Sequence, residues 1–136
     1  MECYSVRTTS LSGGALVRAA LLSHPAIRDS VTRIFPVAVP EATLPYMVYR
    51  RTAMQPVAWK SHGSDDTLTV EITVCTAAYD EGVRLAEAVR EVFDGTQIEI
   101  PELPALRARR SSIVDACETY EADAYIQIIT INIKIQ

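Results

Sequence analysis

Residues 67–75, TLTVEITVC, decide the class of the fold because apolar and polar side chains alternate along them without a break. From residue 68 to 74 every even position is Leu, Val or Ile, and every odd position is Thr or Glu. Successive side chains of a strand lie on opposite faces of a sheet. The segment therefore predicts a strand that is buried on one face only, which is typical of antiparallel sheets.

Residues 79–95, YDEGVRLAEAVREVFDG, predict a long amphipathic helix. Apolar side chains recur with the helical period and form one stripe, made up of Leu85, Ala88, Val89, Val92 and Phe93. Arg84, Glu87 and Glu91 lie on the solvent side of the same helix. Asp80 caps or charges the first turn, and Gly95 is placed where a helix stops.

The N-terminal part of the chain predicts a polar leader over residues 1–14 and two short helices after it. Residues 15–23, ALVRAALLS, are good helix formers. Pro25 suits the first turn of a second helix, with Ser23 or His24 as its cap. An apolar stripe of Ile27, Val31 and Ile34 continues through that second helix.

Residues 33–52, RIFPVAVPEATLPYMVYRRT, contain Pro36, Pro40 and Pro45. Proline fixes φ and removes a backbone donor, so this run predicts an extended connection that ends in a strand at residue 45. Two interpretations remain open. The run is a rigid crossover within one subunit, or it is a stiff arm that loses little entropy when it packs on a neighbouring subunit.

The C-terminal part predicts two strands, residues 111–120 and 125–136, joined by the turn-like EADA. In the last strand Ile126 and Ile128 share one phase, and the isoleucines from Ile129 onward share the other. A β-bulge at this point would keep all of them on the core side. The alternative is a strand that is covered on both faces, with a neighbouring subunit on one of them.

These elements predict an α+β fold in a single domain over residues 1–136. Its antiparallel or mixed sheet has about four strands, and two main helices pack on one face. The other face carries Thr, Glu, Gln and Tyr, and it is either solvated or packed on a partner.

The composition excludes several classes of protein. The chain has 136 residues, 49% hydrophobic and 22% charged, with a net charge of −4. That charge argues against sequence-specific binding of nucleic acid. No apolar run approaches the roughly 18 residues of a membrane span. Cys3, Cys75 and Cys117 have no paired spacing, so we expect structural thiols instead of a metal site or a disulfide framework.

No catalytic motif is present in the sequence, and we expect neither an enzyme nor a cofactor. We expect a capping or surface role for His24, and His62 in its polar loop is favoured as a surface residue over a metal ligand. The carboxylates near the last turn would perform acid–base chemistry only inside a pocket. A solvated turn is the favoured interpretation of this group, which is made up of Asp115, Glu118, Glu121 and Asp123.

An interaction surface is predicted instead. Trp59 stands alone in a polar loop, as an interface anchor does, although it could equally fold back on its own core. The arginines of RARR could neutralise an acidic partner, or lie solvated in a loop. The candidate interface residues are Pro36, Pro40, Pro45, Trp59, Lys60, His62, Arg107, Arg109 and Arg110.

Three stretches in order resemble the tail-completion (tail-terminator, tail-to-head joining) proteins of long-tailed phages and prophages. They are residues 21–50, with a proline-marked run that opens a strand at Leu-Pro-Tyr; residues 70–95, a strand and an alanine-rich helix; and residues 118–136, an acidic turn before an apolar strand. The segments 1–12, 53–66 and 96–110 match nothing in that family.

The resemblance implies a structural protein that forms a homo-oligomeric ring, with six subunits as one candidate size. Such a ring caps the tail tube and docks to the head–tail connector, so its implied partners are the tail-tube and connector proteins. The implied location is the virion tail, and the host cytoplasm during assembly. A small α+β module that binds a ligand or peptide is the alternative function, and a thiol- or carboxylate-dependent enzyme is a weaker one.

Overall fold

The computed structural model describes residues 11, 13–31, 33–37, 41, 43–56, 66–94, 98–99 and 107–135. Within these residues, three helices and six strands follow one another along the chain. Their bounds are α1 Gly13–Ser23, α2 Pro25–Ser30, β1 Arg33–Pro36, β2 Tyr46–Gln55, β3 Asp66–Thr76, α3 Tyr79–Phe93, β4 Ile98–Glu99, β5 Arg107–Glu121 and β6 Ala124–Ile135.

The strands form one mixed sheet in the order β1-β2-β3-β6-β5-β4. β1 runs parallel to β2, and the other pairs are antiparallel. The α+β class is confirmed, but the described sheet has six strands instead of about four. The added strands are the edge strands β1 and β4, of 4 and 2 residues. Elements this short carry little periodicity of their own and depend on pairing with a longer strand.

The predicted helical stripe through Ile34 is wrong, because α2 ends at Ser30 and Ile34 belongs to β1. Val31 has extended backbone, with φ −89 and ψ 129, and Ile34 pairs with Met47. Both are β-branched residues, which favour extended conformations over a continued helix.

His24 caps α2, as predicted. Its Nδ1 accepts a hydrogen bond from the Ala26 amide at 3.1 Å, and Pro25 follows in the first turn. The other ring nitrogen, Nε2, lies 2.7 Å from a carboxylate oxygen of Glu91 on α3. His24 thus caps the start of α2 and joins this helix to α3.

The core lies between the three helices and one face of the sheet. Leu85, Ala88, Val89 and Phe93 of α3 are buried, and Val92 is partly buried against them, as predicted. They contact Leu68, Val70, Ile72, Val74 and the isoleucines from Ile129 to Ile135. α1 begins at Gly13, two residues earlier than predicted. A Cβ at position 13 would collide with the side chain of Leu68. The predicted helix stop Gly95 lies outside the described residues.

β6 contains no bulge, so the bulge predicted between Ile128 and Ile129 is wrong. Its register with β3 is continuous from Asp66↔Ile135 to Thr76↔Tyr125. The irregularities on this side of the sheet lie in β5, between Ala108 and Arg110 and between Ile113 and Asp115. β6 is held by partners on both sides, whereas most of β5 has one partner and accommodates extra residues more easily.

Candidate assembly surface on the open face of the sheet

The face of the sheet opposite the helices, called the open face here, carries an apolar band. The register places Tyr46, Cys75 and Ile126 in one row across three strands, and Val48, Thr73 and Ile128 in the next row. β1 adds Phe35 beside Val48. The apolar band is made up of Phe35, Tyr46, Val48, Cys75, Ile126 and Ile128. It follows directly from the change of phase in β6, which turns Ile126 and Ile128 away from the helices.

One end of this band is held by aromatic contacts. The rings of Phe35 and Tyr46 meet edge to face, with centroids 6.0 Å apart. The guanidinium of Arg33 lies 5.5 Å from the centroid of the Phe35 ring. Phe35 is buried, while Tyr46, Val48, Ile126 and Ile128 are half-buried. The middle of the band therefore presents partly solvated apolar side chains.

Cys75 behaves as a small apolar side chain within this band. Burial raises the pKa of its thiol, so the neutral form is favoured. The pKa of the Tyr46 hydroxyl is also raised, first by burial and then by its hydrogen bond with Cys75. A protonated thiol is a poor nucleophile, which agrees with the predicted structural role. Cys117 is exposed on β5, and Cys3 lies outside the described residues.

The remainder of the open face is polar. Arg50 pairs with Glu71 across β2 and β3 at 3.5 Å, and Thr69 donates to Asn132 at 3.0 Å. Farther along, Arg110 of β5 lies directly opposite Lys134 of β6. The open face thus changes from an apolar band at one end to a basic pair at the other.

A second group of side chains, called the tyrosine–glutamate cluster here, lies where the β5–β6 hairpin meets the start of α3. It is made up of Tyr79, Glu118, Tyr120, Tyr125 and Gln127. The Tyr79 hydroxyl lies 2.9 and 3.0 Å from the two Glu118 oxygens, and the Gln127 amide donates to Glu118 at 2.8 Å. Tyr125 packs against Tyr79 and Tyr120, with centroids 5.8 and 4.8 Å apart.

These hydrogen bonds determine the charge of Glu118. The bond from Gln127, and then the bond from Tyr79, lower the pKa of the carboxyl group below its usual value. A general acid near neutral pH needs a raised pKa. Glu118 therefore remains a carboxylate, but it lies in β5 and not in the predicted solvated turn. The sequence pattern did not predict this cluster, because its members come from α3, β5 and β6.

One edge of the sheet is open along most of β5. β4 pairs only with Arg107 and Ala108, so residues 109–121 have no strand on that side among the described parts of the chain. The side chains from 114 to 121 are all exposed. Charged side chains and bulges are the usual protection of such an edge against uncontrolled pairing.

The predicted interface residues fall in different places. Pro36 ends β1, Pro45 follows a cis peptide bond directly before β2, and Arg110 is exposed on β5. The backbone of Arg107 and Arg109 belongs to β5. Four further residues lie outside the described part of the chain, namely Pro40, Trp59, Lys60 and His62.

Val37, directly after Pro36, was not predicted as an interface residue. Its φ is 64, which is unusual for a β-branched residue, and its side chain is 66% exposed. Its amide donates to the Tyr49 carbonyl at 2.8 Å. Residues 33–37 therefore pack on β2 of their own subunit. The two interpretations of the proline-rich run, a crossover and an arm, both stay predictions.

The described residues form neither a metal site nor a helix that could span a membrane. No group of three or more His, Cys, Asp or Glu side chains is arranged there to hold a metal ion. The described helices are all too short or too polar to cross a lipid bilayer.

Comparisons with known proteins agree with this architecture. A comparison with curated proteins gives no significant match. Among solved structures, a chain of the virion of a native gene transfer agent particle superposes with a TM-score of 0.69 at 18% identity, covering 89% of this chain and 92% of that one. The gp17 protein of bacteriophage SPP1 superposes with a TM-score of 0.59 at 18% identity, covering 98% and 97%. The family profile of tail completion protein gp17 matches residues 15–135. The chain therefore belongs to the tail completion protein gp17 family.

Proposed function

We propose that this chain completes the tail of a phage or prophage particle without catalysis. It would form a homo-oligomeric ring, of six subunits as one candidate size, that caps the tail tube and joins it to the head–tail connector. Its place would be the virion tail, after assembly in the host cytoplasm. Membership of the tail completion family and a fold like that of a virion protein support a structural role.

The observation that carries this proposal is the apolar band on the open face. Ile126, Ile128 and Val48 are half-buried there, and no described helix packs over them. Large contiguous apolar patches on a protein surface mark interaction sites. A neighbouring subunit or a tail protein would remove this surface from water, as the sequence-based alternative of a strand covered on both faces requires.

The candidate interface residues remain part of the proposal. Val37 strengthens it at the proline-rich run, because an exposed, strained apolar residue is often kept for a contact. The open edge of β5 favours the second candidate function, a module that binds an extended peptide by adding a strand. The mass in solution separates the two, since a ring contains several subunits and a peptide-binding module does not need them.

The test uses particles assembled in cells that lack this gene. We expect separate heads and tails to accumulate, and the purified chain to restore joining. An Ile128→Lys variant should fold but fail to restore joining, because it places a charge in the apolar band. Thr130→Lys is the matched control, on the same strand and face but between Glu71 and Asp115. Normal joining without the chain, or full activity of Ile128→Lys, would contradict the proposal.

A further inference from the structure

We infer that copies of this chain dock head to tail, with the basic pair Arg110 and Lys134 of one copy against the tyrosine–glutamate cluster of the next. The inference rests on the proposed homo-oligomer and identifies the surfaces that would form its contact. The occupant of each surface is a second copy of the same chain.

Among the described residues, no carboxylate pairs with the basic end. Arg110 and Lys134 lie directly opposite each other on neighbouring strands, and both are exposed. Like charges in this position destabilise a sheet. Neither forms an ion pair with any residue that the structure describes. The sequence adds positive charge at Arg107 and Arg109 on the same strand, so this end suits an anionic surface.

The acidic end has the chemistry that arginine recognises. Glu118 is held in place by Tyr79 and Gln127, so its carboxylate is ordered before any partner arrives. Beside it, Tyr79 and Tyr120 are 44% and 56% exposed. Glu121, three residues farther along β5 than Glu118, is exposed as well. Guanidinium groups bind carboxylates by paired hydrogen bonds and stack on aromatic rings. An ordered carboxylate among exposed tyrosines offers both contacts.

The spacing makes the contact one between copies. Arg110 and Glu118 are eight residues apart on β5, or roughly 26 Å at 3.3 Å per residue, so one chain cannot join its own two ends. A contact between two different patches is heterologous and produces a ring or a filament. Two-fold antiparallel pairing of two β5 edges would also place Arg110 of one copy opposite Glu118 of the other. The two irregularities in β5 disfavour such a regular ladder of hydrogen bonds.

Sedimentation of the full-length chain at low and high salt tests the contact with two charge-reversal variants. One carries Arg110→Glu and Lys134→Glu, so that both of its ends are acidic. The other carries Glu118→Lys and Glu121→Lys, so that both of its ends are basic. A control with Arg18→Glu and Glu87→Lys reverses exposed charges on α1 and α3.

We expect the wild type and the control to associate beyond two subunits, more strongly at low salt. Each reversal variant alone should associate at least about tenfold more weakly than the wild type. An equimolar mixture of the two variants should recover association. Variants that fail a circular dichroism check of folding are replaced by Lys134→Gln and Glu121→Gln, with a smaller expected loss.

The inference is overturned by a monomeric wild type, by reversal variants that associate normally, by a mixture that does not recover, or by assembly that stops at two subunits. A monomeric wild type would also count against the proposed ring, whereas the other three results leave the joining test of the proposed function unaffected. Conversely, charge-dependent association together with normal tail joining in particles that lack the chain would overturn the proposed function alone.

Discussion

Ser111 of β5 donates a hydrogen bond of 2.6 Å from its hydroxyl to the main-chain carbonyl oxygen of Phe93, and both residues are fully buried. Phe93 is the last residue of α3, where helical carbonyls have no partner within the helix. A side chain from the sheet therefore satisfies the helix end inside the core. This bond joins the best-predicted helix to the strand that carries the open edge.

Replacing Ser111 with Ala should lower the free energy of unfolding by about 1 to 3 kcal/mol, because the buried carbonyl of Phe93 loses this donor. The measurement is a urea titration followed by circular dichroism. Ser112→Ala is the matched control, since Ser112 is half-buried on the opposite face of the same strand. Equal midpoints for the two variants would show that this hydrogen bond does not stabilise the fold.

Replacing Val89 or Phe93 with Ala should lower the free energy of unfolding by about 2 to 4 kcal/mol, because each opens a cavity in a fully buried site. Glu87→Ala on the exposed side of α3 should change it by only about 0.5 kcal/mol. Denaturant midpoints of the three variants measure the difference. A loss of stability in Glu87→Ala as large as in Val89→Ala would mean that α3 packs by the other face.

The parts of the fold that the sequence predicts are those with strong periodicity over many residues. β3 alternates over seven positions and α3 keeps one stripe over three turns, so both were placed correctly. β1 was missed because Ile34 also continues the apolar spacing of the preceding helix. Only its pairing with Met47 decides between the two conformations.

The change of phase at Ile128 and Ile129 contains real information, but it allowed two explanations. Register with β3 excludes the bulge, and that register depends on residues about 60 positions away. A strand that is covered on both faces stays a prediction. The adjacent apolar residues Ile113 and Val114 interrupt the alternation of β5. They are the sequence signal for the irregularity between Ile113 and Asp115, which was not predicted. The tyrosine–glutamate cluster was out of reach, since Tyr79 and Glu118 meet only after the sheet order is known.

The turn between β5 and β6 offers a stabilising change. Ala122 and Asp123 have φ values of 50 and 61, which glycine and asparagine adopt more readily than alanine. Ala122→Asn with Asp123→Gly should raise the free energy of unfolding by about 1 kcal/mol. Ala116→Gly, on an exposed and regular part of β5, should lower it by about 0.5 to 1 kcal/mol. Thermal unfolding compares the two; a gain from glycine at both places would rule out this explanation.

The pKa of Glu118 reports the tyrosine–glutamate cluster. This pKa is lowered in the folded state below the ordinary carboxyl pKa of 4.5. The cluster therefore stabilises the protein fully at pH values above 4.5, and this contribution is lost as pH falls through the lowered pKa. The pKa of Tyr79 is raised, chiefly by its hydrogen bond to Glu118. The contribution of Tyr79 to stability is therefore complete below pH 10.0, the ordinary pKa of tyrosine, and is lost as pH rises through the raised pKa.

Gln127→Ala should move the pKa of Glu118 upward toward its ordinary value, and Tyr79→Phe should do so to a smaller extent. Carbon NMR titration of the Glu118 carboxyl group measures both shifts. Tyr120→Phe keeps the ring next to Tyr125 and removes neither hydrogen bond to Glu118, so it should leave the titration in place. A Gln127→Ala variant that titrates like the wild type would contradict the assigned cause.

Trp59 remains a prediction from sequence, and one substitution separates its two interpretations. If the side chain anchors a contact between subunits, Trp59→Ala should weaken self-association by about 2 kcal/mol or more and leave the free energy of unfolding unchanged. If the ring folds back on its own core, the same variant should unfold more easily and associate normally. Lys60→Ala is the control within the same loop, with little expected effect on either quantity. Sedimentation and denaturant titration on the same preparations supply the two measurements, and unchanged values in both would remove Trp59 from the interface and from the core.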